Sequence, residues 1–147
     1  NEIERIKNDR DQKMEANRAK LQESLKAIKD KAKVTVVARI ADGLNTANKK
    51  ITDQFTQTLT KLKSILTKIS DKDSTIDITI ATGLITSAQT SVDAQALKSY
   101  TVTVTTETNL KVNASEAAQV LRTDLSAVQE KVKASRKAVE EAYKLIK

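Results

Sequence analysis

From Met14 onward the apolar side chains fall at Leu21, Leu25, Ile28 and Ala32, then at Val36, Ile40, Leu44, Ala47, Ile51, Phe55, Leu59, Leu62, Leu66 and Ile69. Steps of three and four place these positions on one stripe of an α-helix. Little in the chain interrupts such a stripe, because none of the 147 residues is proline and the two glycines are Gly43 and Gly83. A first helix running to residue 70 would be roughly 105 Å long. It is weakest at the β-branched run Val34 to Val37 and at Gly43, where a bend is easiest. The repeated steps of four at Ile51, Phe55 and Leu59 depart from a strict heptad and relax the local supercoil.

The polar stretch "SDKDSTID" supplies several N-cap residues and predicts a connector at 70–77, with Asp77 capping the next helix. That helix is predicted over 78–99, with Ile80, Leu84, Ala88, Val92 and Ala96 at helical spacing. Ile76, Ile78 and Ile80 also alternate as a strand would, but the four-residue spacing continues well beyond them. In an antiparallel hairpin Gly83 would lie opposite about residue 64 and allow close approach, and Gly43 would lie near 100–105. A third helix over 106–147 carries two heptad seams. One is Ala114, Leu121, Val128, Ser135 and Ala142, and the other is Ala118, Leu125, Val132, Val139 and Ile146. Thr105 or Thr106 is the predicted cap, since Leu110 extends the stripe one turn before Ala114.

Between the last two helices "SYTVTVTT" alternates valine with threonine, yet a lone strand has no sheet to join in this chain. Residues 100–105 therefore read as an extended connector whose valines cover the first helix near Gly43. The resulting fold class is all-α: an elongated three-helix bundle with coiled-coil-like packing and projecting helix ends. Residues 1–147 form a single domain, with 36–70, 78–99 and 106–147 as the bundle and 1–35 projecting. The predicted helices differ in length, the second being about 22 residues and roughly 33 Å, the third about 42 and roughly 63 Å. This mismatch leaves apolar stripes at opposite ends, Ile3, Ile6, Met14, Leu21, Leu25 and Ile28 at one and Val132, Val139, Leu145 and Ile146 at the other. Isolated helices need a partner for such a stripe. Head-to-tail contacts between copies would supply one and build a filament. The competing arrangement folds the first helix back at Val34 to Gly43, as a fourth helix.

Composition narrows the chemistry. With no histidine and no cysteine, the chain lacks the commonest near-neutral base, the thiolate nucleophile and the usual zinc ligands. No catalytic residue, metal site, cofactor or small-molecule substrate is expected. Asp71, Asp73 and Asp77 share a turn without the glycine and late glutamate of a Ca²⁺ loop, and Glu140 with Glu141 reads as solvated surface. The formal charge of +7 comes from 26 basic residues interspersed with 19 acidic ones. Nucleic-acid binding is disfavoured, although "KVKASRK" at 131–137 is basic, because no aromatic platform accompanies the charge. Aromatics make up 2% of the residues. No apolar run is long enough to span a membrane, and Trp and Phe are missing from the apolar face of 1–33 that an interfacial helix would use. "NAS" at Asn113 matches a glycosylation acceptor pattern, a weak signal that reads better as a helix cap.

The blocks "AKVTVVARIADGLNTANKKI" and "SYTVTVTTETNLKVN…LRTDLSAVQEKVKASRKAVEEAY" resemble a family of secreted helical-bundle proteins from ultra-small candidate-phyla bacteria, over residues 32–147. The resemblance implies export through a signal preceding Asn1, an extracellular or cell-surface location, and no assigned activity. Members of that family often carry proline after the Tyr-Thr pair, where this chain has Val102. The sequence thus leads to a structural expectation: a homo-oligomeric subunit of a secreted or surface filament, not an enzyme. The alternatives are a monomeric or dimeric envelope binding module of holdase type and, third, a nucleic-acid-binding helical protein.

Overall fold

The computed structural model describes residues 2–146, apart from the side chain of Ile3, which lies outside the described residues together with Asn1 and Lys147. Its helices are α1 (Glu2–Leu25), α2 (Lys31–Lys72), α3 (Thr79–Ala96) and α4 (Leu110–Lys144), the last entered through a 3₁₀ turn at Glu107–Asn109. The all-α class stands, and no strand occurs among the described residues. Three long helices must be corrected to four, because the first predicted helix breaks at 26–30.

That break has a local cause and a distant one. The Asp30 carboxylate accepts from the Ala32 and Lys33 amides at 3.0 and 3.3 Å, capping α2. Glu107 then accepts from the amides of Lys29 at 2.6 Å and Asp30 at 3.4 Å, so groups left open between the helices are paired from the far side of the sequence. Ile28, inside the break, is itself buried.

Two compact units follow, each described by itself. The first comprises residues up to Lys50 together with Ala96–Leu125. Its core joins Leu21, Leu25 and Ile28 to Val37, Ala41, Val102, Leu110 and Ala114. Burying each leucine or valine there contributes about 1.5–3 kcal/mol relative to exposure. Arg18 bridges α1 to α2 by pairing with Asp42 at 3.2 Å. The 1–35 projection is therefore corrected: Ile6, Leu21, Leu25 and Ile28 of its apolar stripe are buried within the chain. The reversal also falls before Val34, outside the Val34 to Gly43 span of the competing arrangement.

The second unit, Ile51–Gln95 with the chain from Ser126 onward, packs Leu59, Leu62, Leu66 and Ile69 of α2 against Ala81, Ile85, Ala88 and Val92 of α3 and Val128, Val132, Val139 and Ala142 of α4. All five residues of the first α4 seam are buried, Ser135 among them, with its hydroxyl donating to the Lys131 carbonyl at 3.1 Å. The predicted α3 stripe holds at Ala88, Val92 and Ala96, which are buried, whereas in the first turns Ile80 is exposed and Leu84 half-buried while Ala81 and Ile85 are buried. A Cβ added at Gly43 or Gly83 would meet nothing within 4 Å, so close backbone approach is not what these glycines provide.

Candidate functional site

The connector that the sequence left as a puzzle is held in place by asparagines. The Asn45 amide donates to the Tyr100 carbonyl at 2.7 Å, and its oxygen accepts from the Tyr100 amide, also at 2.7 Å. A single side chain thus supplies both bonds that a neighbouring strand would otherwise make. Asn48 donates to the Lys98 carbonyl at 3.3 Å, Asn17 to the Ser99 hydroxyl at 2.8 Å, and Asn113 accepts from the amide and hydroxyl of Thr105, each at 3.2 Å. The Tyr100 hydroxyl donates to Asp124, which also pairs with Lys98 at 3.3 Å. Val102 is buried in the same core as Val37 and Ala41, just before Gly43. Thr106 caps the 3₁₀ turn, accepting from Asn109 at 3.3 Å.

These clamps fix where the chain enters α4, and with it one wall of a groove. Val36, Val37 and Ile40 of α2 face Leu110, Ala114 and Ala118 of α4 across an open depression of about 770 Å³. Steps of three and four on α2, and of four on α4, aim these side chains at one another. Lys33, Glu107 and Lys111 stand at its margins. Val36 is half exposed at the mouth, and the small side chains of Ala114 and Ala118 keep the α4 wall low. The second unit carries another depression, of about 940 Å³, whose lining includes Leu62, Ile65, Ile69, Val139 and Tyr143.

Of the residues assigned by sequence to contacts between copies, Ile6, Leu21, Leu25, Ile28, Val132 and Val139 are buried. Met14 and Ile146 are half-buried, Ile146 against the second core, and Ile3 lies outside the described side chains. Leu145 is exposed. The structure brings Leu21, Leu25 and Ile28 together in one core and Val132 and Val139 in the other.

Sequence reasoning missed Asn45 and Asn48. It placed the buried face of α2 on Leu44, Ala47 and Ile51, which are half-buried, whereas Ala41, Asn45, Asn48 and Thr52 are the buried ones. The signal was available: two asparagines three residues apart are poor choices for a helix unless their amides have work nearby. Arg10 is a second surprise, being 1% exposed with, among the described residues, no hydrogen-bond partner at Nε or Nη2, and with Asp11 at ion-pair range, 3.7 Å away.

Among the described residues no group of three acidic, histidine or cysteine side chains could hold a metal, and no helix is long and apolar enough to cross a membrane. Set beside known proteins, the chain matches no family model, no curated protein and no solved structure.

Proposed function

We propose that the protein is a non-catalytic helical association module, and that the groove between α2 and α4 of the first unit receives a helix from a second copy of the chain. The groove carries this reading: it is apolar along both walls, open along its length, and bounded by charged residues that can fix the register of an incoming helix. Val112 and Val120, each about half exposed, give α4 apolar surface that its own unit does not cover. The contact replaces the projecting stripes expected from sequence while keeping the role of subunit in a larger assembly. A secreted or cell-surface location belongs to the proposal through the sequence resemblance, and fractionation of the source cells tests it.

Sedimentation of the full chain across a wide concentration range tests the contact. Association that strengthens with concentration is expected, and Val36→Asp together with Ala118→Glu should abolish it without loss of helicity. Particles of one monomeric size at every concentration would remove the reading.

A second reading, a monomeric module holding an amphipathic helix of another protein, is favoured by the same apolar walls. It requires a monomer that binds an amphipathic helical peptide, and binding should disappear in the same double variant.

A further inference from the structure

The formal charge of +7 is not spread over the molecule. Residues 61–72 and 131–147 contain ten of the 26 basic residues and three of the 19 acidic ones, leaving the other 118 residues balanced at 16 of each sign. Both segments belong to the second unit, where the last turns of α2 and α4 wall the depression of about 940 Å³. Lys68 and Lys72 stand on one wall, and Arg136 and Lys144 on the other. Among the described residues none of these four makes an ion pair. The nearby acidic residues are Asp71, Glu140 and Glu141 within the two segments, with Asp73 next to Lys72 and Glu130 paired with Lys133 at 3.7 Å. Lys133 and Lys137 extend the basic surface along α4.

Apolar side chains break through this surface. Tyr143 is 64% exposed, Leu145 60% and Ile65 40%. A phosphate backbone would use the cations and leave these three groups in water. An anionic bilayer uses both, placing lysine and arginine at the headgroups while apolar and amphipathic side chains enter the acyl boundary. Long basic stems suit this arrangement, because their methylenes cover apolar surface while the charge stays hydrated.

We infer that the second unit docks on anionic lipid surfaces through the face formed by the ends of α2 and α4. The docking is peripheral, driven by charge and completed by shallow insertion of Tyr143 and Leu145.

Flotation of the full chain with vesicles tests this directly. The protein should float with phosphatidylcholine vesicles containing phosphatidylglycerol and stay behind with phosphatidylcholine alone. Raising salt to about 1 M, where the screening length falls to about 3 Å, should release most of it. Each cation near the surface accounts for about a fivefold change in partition. Changing Lys68, Lys72, Arg136 and Lys144 to Gln together should therefore weaken binding by two orders of magnitude or more. The same change at the exposed Lys7, Lys13, Lys20 and Lys29 controls for net charge alone and should cost far less. Tyr143→Ser with Leu145→Ser keeps every charge and should leave weaker, more salt-sensitive binding. Equal flotation with both vesicle types, no flotation with either, or full binding by the four-cation variant would each overturn the inference. So would tight binding to nucleic acid without any to anionic vesicles.

Discussion

Individual side chains show where this fold has stability to spare and where it does not. Gly43 and Gly83 sit inside α2 and α3 with open space around the position of a Cβ. Glycine in a helix interior costs roughly 0.5–1 kcal/mol relative to alanine, mostly through the freedom it has when unfolded. Gly43→Ala and Gly83→Ala should each raise unfolding free energy by about that amount in urea titration, and the two should add because the sites are independent. Arg10 should behave similarly for a different reason. Its buried guanidinium leaves Nε and Nη2 without hydrogen bonds, a desolvation cost of about 1–3 kcal/mol. Arg10→Met keeps the bulk and removes the polar atoms, so the variant should be more stable by a comparable amount. A destabilised Arg10→Met protein would show that the charge is used in a way its geometry does not reveal.

For the helices, the ends decide more than the middles. The Asp77 carboxylate accepts from the Thr79 amide at 2.9 Å, as its predicted capping role requires, and that backbone bond holds its pKa below the ordinary 3.8. Asp73 is lowered too, chiefly by the Thr75 hydroxyl and then by the Thr75 amide. A carboxylate with a lowered folded-state pKa stabilises fully above its unfolded value and loses that contribution as pH falls through the folded one. Stability should thus be flat with respect to these two groups above pH 3.8 and decline below it. Asp77→Asn retains a capping oxygen that does not titrate, so melting curves from about pH 2 to about pH 5 should show a shallower acid slope than the parent. Helix α4 was legible in the sequence because its heptad repeats along the whole element. The break between α1 and α2 was not, since Asp30 alone is a weak signal and the Glu107 carboxylate that completes it lies 78 residues from Lys29. The groove was only half legible. Val36 and Ile40 were read as part of a continuous buried stripe, and their partial exposure depends on how α4 enters beside them.

At the scale of the whole chain, the error about a projecting N-terminal end has one origin. It assumed uninterrupted helices, and a single reversal at 26–30 is enough to bring Leu21 and Leu25 back onto Val37 and Ala41. Lacking proline altogether, the chain should also refold without the phase of tens to hundreds of seconds that X-Pro isomerisation imposes. Stopped-flow refolding after long and short unfolding delays should give the same amplitudes. Any slow phase in this protein would have to come from another event, with association of copies the first to check by its concentration dependence.

The Asn45 clamp reaches beyond the placement of one connector. Irregular segments ordinarily surrender their amide protons to solvent quickly, whereas the Tyr100 proton is locked onto a side chain rooted inside α2. It can exchange only when that clamp opens. In a deuterium-exchange experiment Tyr100, and more weakly Thr105 through its bond to Asn113, should therefore stand as slow amides in a fast stretch, a built-in gauge of how often the first unit comes apart.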